Sequence, residues 1–169
     1  MREWFMGVTR KQFAWLQLFF LFFMLSASFF FEYIVKLTPC ALCLVQRCFI
    51  LLLILLAFVS LWYLSRGAKV GGLRICSFIV CVLGLLVSWR HLWLQQNAAL
   101  VANSACLPDI SFMLKMMPLP QVIMQLFSHG GSECSKIKWA FLGLTMPAWV
   151  AVSYVSYMLS LFVAKHYDS

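Results

Sequence analysis

Apolar residues along this chain fall in long unbroken blocks, not at the alternating or one-face spacing of a half-buried element. From Ala14 to Phe31 the polar positions are Gln17, Ser26 and Ser28 alone. A second block, Leu44 to Leu64, is interrupted mainly by Gln46 and Arg47 near its start. A third follows Gly71–Gly72 and runs from Leu73 to Leu94, and the last covers about Phe141 to Ala164. Each reaches the ~20 residues that a helix needs to cross ~30 Å of hydrocarbon. Backbone in lipid must satisfy its own hydrogen bonds, so these blocks predict helices and not an open sheet. The expected architecture is an all-α integral membrane protein: one domain over 1–169, a four-helix transmembrane bundle with spans of about 14–31, 44–64, 73–94 and 141–164. Small residues at Ser26, Ala27 and Ser28, and at Gly143, Ala148, Ala151 and Ser153, suit close helix packing. Arg10–Lys11 before the first block resembles the start of a signal peptide. The block is longer than a usual signal core, and bulky Phe29–Phe31 follows where a small cleavage site would lie, so an uncleaved first helix is expected.

Composition agrees with lipid as the solvent. Of 169 residues, 64% are hydrophobic and 11% charged, with a mean hydropathy of +0.93; an ordinary soluble core does not account for that. The net charge of +8 would suit nucleic acid, but its placement suits membrane orientation better. Arg2, Arg10 and Lys11 precede the first span, Arg66, Lys69 and Arg74 separate the second from the third, and Lys165 follows the fourth. With an even number of crossings these segments share one face, and the positive-inside rule makes it cytoplasmic, termini included. The loops at about 32–39 and 95–138 then face the opposite compartment, with Lys36, Lys115, Lys136 and Lys138 as exceptions to the bias. No nucleic-acid partner is expected.

That topology sorts the seven cysteines. Cys48, Cys76 and Cys81 fall within spans and read as small, weakly polar packing residues. Cys40, Cys43, Cys106 and Cys134 lie at or beyond the non-cytoplasmic face, where disulfides persist. Four thiols allow three pairings; the short spacing lets Cys40 pair with Cys43, which leaves Cys106 with Cys134. Structural staples, a redox pair and a four-thiolate zinc site are all compatible with a C-x-x-C. Zinc would require four sulfurs to converge, and the second pair lacks short ligand spacing, so no metal is expected.

The stretch TPCALCLVQR (38–47) favours redox chemistry. Pro39 suits a helix start, and the positive end of a helix dipole at Cys40 and Cys43 favours thiolate. Arg47 falls one turn beyond Cys43 on the same face. A guanidinium just inside a span is costly without a partner, so it marks a functional position, although snorkelling to headgroups would also explain it. A thiol pair that oxidises others must pass electrons on, and no nucleotide-binding glycine pattern is present. A lipid-soluble quinone is the natural acceptor. His91, in WRHLW near the outer end of the third span, could donate a hydrogen bond or proton there, or be one polar residue in an interfacial tryptophan belt.

In the long outer loop, Leu119, Val122, Ile123, Leu126 and Phe127 repeat at helical spacing and predict a short helix on the membrane surface or packed on the bundle. Gly130–Gly131 precede Cys134 and predict a flexible turn around it.

Taken together, PCALCLVQR (39–47), HLWLQ (91–95), CLPD with PLPQ (106–121) and ECSKIKWAFLGLTMPAW (133–149) resemble the DsbB family of bacterial inner-membrane disulfide-bond formation proteins over nearly the whole chain. The resemblance implies a quinone-dependent thiol oxidase that reoxidises a DsbA-like periplasmic dithiol protein and passes electrons to ubiquinone or menaquinone of the membrane pool. It implies that Cys40–Cys43 is the pair reoxidised by quinone, with Cys43 engaging the ring and Arg47 the cation beside it. Cys106–Cys134 matches the second pair, Cys106 being the one that forms a mixed disulfide with the soluble partner. His91 and Gln95 match positions near the quinone. A monomer suffices. Two other readings compete: a vitamin K epoxide reductase-like protein, in which the C-x-x-C would fall on a late helix, and a non-enzymatic four-span protein with structural disulfides.

Overall fold

The computed structural model describes residues 10–37, 40–97, 115–118, 120–121, 132–135, 137 and 139–168. Cys106, the stripe from Leu119 to Phe127 (Leu119, Val122, Ile123, Leu126 and Phe127) and Gly130–Gly131 lie outside the described residues. Four long helices account for most of the rest: α1 (Arg10–Tyr33), α2 (Ala41–Ser65), α3 (Gly71–Gln96) and α4 (Met146–Asp168). Each contains a stretch long and apolar enough to span a bilayer: Lys11–Tyr33, Leu42–Ser65, Gly71–Gln96 and Met146–Ala164. The chain is a multi-pass membrane protein.

The helices pack in a ring, α1 on α2, α2 on α3, α3 on α4 and α4 back on α1. Leu18 and Leu21, Ile50 and Leu53, Val80 and Leu161 face inward in one core cluster. The outward faces carry Trp15, Phe19, Leu55, Phe58, Ile79 and Leu159, all exposed on the bundle surface. A helix that is apolar all round is expected where the outside is lipid. Lipid tails are as apolar as leucine, so burial of oil is not what drives these helices together; tight packing and interhelical hydrogen bonds are. Two such bonds tie α4 to the first two helices: Gln17 Nε2 on α1 donates to Ser160 Oγ at 2.7 Å, and Tyr154 Oη donates across the bundle to the Gln46 carbonyl on α2 at 3.0 Å.

The second bond depends on Gly84. A Cβ placed there would lie 2.6 Å from Cζ of Tyr154, so only glycine lets the ring pass α3 to reach α2. The small residues expected to mediate packing included Gly143, but it serves elsewhere. Residues 140–145 are not the start of the last helix, as the apolar run suggested. Ala140–Phe141 and Leu144–Thr145 pair as a small antiparallel hairpin, β1 and β2, with Phe141 opposite Leu144. Leu142 and Gly143 form its two-residue loop at φ of 52° and 78°, the doubly positive geometry of a type I′ turn that matches strand twist. The helix begins only after it, at Met146, with Pro147 in the first turn, where its missing amide costs nothing.

Of the span cysteines, Cys81 is buried while Cys48 and Cys76 are exposed on the outer, lipid-facing side. Packing explains Cys81; the structure gives no role to the other two.

Gly84→Ala is expected to destabilise the bundle by about 1–3 kcal/mol through overpacking against Tyr154, read as a lower thermal midpoint in detergent. Gly72→Ala, where an added methyl meets nothing, serves as the neutral control. Equal midpoints for both variants would contradict this packing.

Candidate functional site

The chain reverses direction so that the end of α1, the start of α2, the end of α3 and the start of α4 meet at one end of the bundle. Cys40 is the N-cap of α2, in extended conformation with φ −79° and ψ 168°, and its side chain makes no cap bond. Its thiol is therefore free to point along the helix, where Sγ donates to Cys43 Sγ at 3.1 Å. On its other side lie His91 Nε2, 3.6 Å away, and the sulfur of Cys134, within 4.8 Å. Hydrogen bonding to Cys134, then to Cys43, and then burial, push the Cys40 thiol well above its ordinary range. The helix-start dipole was expected to favour thiolate at both cysteines; at Cys40 these neighbours outweigh it, and that thiol holds its proton. Cys43, which receives the bond, faces a cavity.

The cavity is about 350 Å³, and Cys40, Cys43, Arg47, His91 and Gln95 all line it. The size falls in the range of small-molecule sites, which run from about 300 to 1,000 Å³ and are mostly apolar with a few convergent polar groups. Met24, Ile50, Met146, Pro147 and Val150 supply apolar wall. Arg47 lies one turn into α2 from Cys43, as its spacing required, and is only 12% exposed. It does not snorkel outward. It reaches across to α1, where Nε donates to Ser28 Oγ at 2.7 Å and Nη2 to the Ser28 carbonyl at 3.0 Å. Nη1 forms an ion pair with Glu32, and the guanidinium lies 5.1 Å from the Phe29 ring centroid. The sequence pattern puts Glu32 at the start of the outer loop; in the structure it is still within α1 and pairs with Arg47. The visible signal was the placement of Ser28 and Glu32 one turn apart at the end of a span.

Next to Arg47, Gln46 is buried and donates from Nε2 to Ser88 Oγ on α3 at 3.0 Å, while Ser88 Oγ donates to the Gly84 carbonyl at 3.0 Å. With Tyr154 on the Gln46 carbonyl, the turn that carries Cys43 and Arg47 is fixed from α1, α3 and α4 together.

The hairpin closes the cavity on the α4 side. Trp139 packs on Phe31 at 4.7 Å between ring centroids and stacks with Phe141 at 5.9 Å. Phe141 in turn meets Trp149 at 6.3 Å, whose Nε1 donates to the Phe141 carbonyl at 3.2 Å. Thr145 Oγ1 donates to Gln95 Oε1 at 2.8 Å, which anchors the hairpin to the end of α3. The WAFLGLTMPAW stretch is therefore an aromatic wall of the cavity.

Cys134 lies in a single helical turn, Ser132–Ser135, that packs on α3, and it is 1% exposed among Leu42, Val87 and Leu94. Gly130–Gly131, on which the expected flexibility rests, lie outside the described residues. His91 is no belt residue: it is 3% exposed and directed at Cys40. The structure thus brings Cys40, Cys43, Cys134, Arg47, His91 and Gln95 to one place. Among the described residues no cysteine is in a disulfide.

The chain matches, over residues 10–164, the family described as "Disulfide bond formation protein DsbB". It is similar to Disulfide bond formation protein B of Marinobacter nauticus, 35% identical over 147 residues, with 83% of each chain covered. It is 31% identical over 132 residues to the protein of the same name from Nitrosococcus oceani, covering 78% of this chain and 77% of that one. A third relative, Disulfide bond formation protein B 1 of Pseudomonas aeruginosa, is 32% identical over 137 residues, covering 79% and 81%. Four membrane-length helices, a cysteine pair on an apolar cavity and this match over most of the length agree: the chain belongs to the DsbB family of disulfide bond formation proteins.

Proposed function

We propose that this protein is a protein-dithiol:quinone oxidoreductase of the bacterial inner membrane, reoxidising a DsbA-like periplasmic dithiol protein. The single observation that carries the reading is Cys43 on the wall of an apolar cavity, accepting a hydrogen bond from Cys40, with Arg47 one turn deeper. The cavity walls fit a quinone head: aromatic faces at Trp139, Phe141 and Trp149, and polar groups at Arg47, His91 and Gln95 that can meet ring oxygens. Ubiquinone or menaquinone bound there would supply a two-electron, two-proton acceptor. The basic residues near the opposite end of the bundle, Arg66, Lys69 and Arg74, favour a periplasmic placement of the cysteine end.

The chain's own residues account for the rest by thiol–disulfide exchange. In the oxidised protein the disulfides are Cys40–Cys43 and Cys106–Cys134. A thiolate of the soluble partner attacks Cys106, forms a mixed disulfide and releases Cys134 as thiolate. Cys134, whose sulfur lies within 4.8 Å of that of Cys40, then attacks Cys40 and releases Cys43. That leaving thiolate emerges on the cavity wall, on the same helix face as Arg47. The partner's second thiol resolves its mixed disulfide, leaving Cys106 as thiol. Cys106 then reforms its bond with Cys134 and frees Cys40, which returns as the protonated thiol hydrogen-bonded to Cys43. Loss of two electrons and two protons to the bound acceptor restores Cys40–Cys43. His91, buried 3.6 Å from Cys40, is placed to carry the Cys40 proton.

The test is anaerobic stopped-flow with purified protein, a reduced DsbA-like partner and a soluble quinone analogue, reading quinone absorbance. Cys43→Ser is expected to abolish quinone reduction while leaving the helical circular dichroism intact; full turnover by that variant would overturn the site. Arg47→Ala removes charge-assisted hydrogen bonds worth about 1.5–3 kcal/mol each, so the quinone KM is expected to rise on the order of tenfold or more. Glu32→Gln retains the guanidinium and is expected to raise KM less than Arg47→Ala; a larger effect from Glu32→Gln would contradict Arg47 as the group facing the quinone.

A further inference from the structure

We propose that the fully reduced protein holds a tetrahedral, thiophilic divalent cation of the zinc class on Cys40, Cys134 and His91. These three residues come from the start of α2, the turn before the hairpin and the end of α3, and one donor atom of each lies within 4.8 Å of the others. All three are buried: 7% exposed for Cys40, 1% for Cys134 and 3% for His91. Zinc binds thiolate at about 2.3 Å and imidazole at about 2.0–2.1 Å, so a sulfur and a nitrogen on one tetrahedral ion stand roughly 3.6 Å apart by the same geometry. The separation of Cys40 Sγ and His91 Nε2 is 3.6 Å.

Two further features favour occupancy. His91 Nδ1 is buried and meets no hydrogen-bond partner among the described residues, and Nε2 is already directed at Cys40 Sγ. Binding also balances charge. Two thiols lose their protons to solvent, two thiolates and a neutral imidazole take up one divalent cation, and the product is neutral. A neutral cluster is far easier to bury in an apolar bundle end than a free thiolate. Four converging sulfurs, the arrangement that made zinc unpromising from the sequence, are not required, because a histidine from another helix supplies the third donor. The remaining position falls to water, which keeps the cluster neutral.

The consequence is redox-gated metal binding. A disulfide at either cysteine removes a ligand, so oxidised protein has no site, and a bound cation holds Cys40 reduced and stops disulfide exchange there. The site itself needs only reduced thiols and does not depend on the quinone reading; metal binding and quinone reduction are read separately.

The experiment titrates Co2+ into purified full-length protein in detergent, reduced with a phosphine and then freed of reductant. The expected result is one equivalent per chain, with the visible bands of tetrahedral Co2+ and a near-ultraviolet sulfur-to-cobalt band, both bleached by Zn2+ and absent in oxidised protein. His91→Ala and Cys134→Ser are each expected to weaken binding by about tenfold or more. Combined Cys48→Ser, Cys76→Ser and Cys81→Ala changes are expected to leave it unchanged. With wild-type protein, Zn2+ should shield Cys40 and Cys134 from alkylation, read by mass spectrometry, while exposed Cys48 and Cys76 stay reactive. Absence of tetrahedral bands, equal binding by oxidised protein, undiminished binding by His91→Ala, or unshielded Cys40 and Cys134 would each overturn the proposal.

Discussion

A guanidinium inside an apolar bundle must be held by something, and the way Arg47 is held organises the cysteine end of this protein. Left unpaired near hydrocarbon it would cost several kcal/mol. It is met instead by Ser28 through two atoms and by Glu32, all on α1. These contacts pin the end of α1 to the start of α2. The cavity opens beside this polar cluster, with Ser28, Glu32 and Arg47 on its wall. Removing Arg47 would delete a cation and, with it, the ties that join these two helices at the cavity.

The rest of the site is built to keep that opening from collapsing. The turn carrying Cys43 and Arg47 is fixed through Gln46, whose side chain bonds Ser88 and whose carbonyl receives Tyr154. Gly84 makes that second bond sterically possible. On the far side, a two-residue turn folds Trp139 and Phe141 back so that they line the cavity with Trp149. Interhelical hydrogen bonds in membranes are individually modest, about 0.6 kcal/mol on average. Several of them converging on one helical turn give it a single position. The proposed exchange between sulfurs needs that, because the attacking and leaving sulfurs must meet in line.

Much of this was legible in the sequence, for physical reasons. Uniformly apolar blocks of membrane length identify helices without knowledge of their neighbours, and the helical repeat alone puts Arg47 on the face of Cys43. What periodicity cannot show is partnership between distant segments. Glu32 reads as the first residue of a loop because its role lies in a contact with α2. Gly84 sits in a span with nothing to distinguish it from a tolerated glycine until the Tyr154 ring is seen against it. The run from Phe141 onward is apolar enough to extend a helix, and only the doubly left-handed Leu142–Gly143 pair turns it into a hairpin. His91 could be read equally as an interfacial residue or as part of a site, and its burial against Cys40 decides between them. The burial of Cys134 is hidden for a related reason: it is set by Leu42, Val87 and Leu94, which pack around the sulfur from other segments.

The central claim is that the electron acceptor binds at the cysteine end, between Arg47 and the aromatic wall. Photo-crosslinking with a photoreactive quinone analogue in membranes, followed by peptide mapping, tests it most directly. The account predicts adducts within 40–50, 91–95 and 139–150, and their loss when an unlabelled quinone competes. Adducts concentrated at the opposite end of the bundle, around Ser60, Arg74 and Ser77, would contradict it.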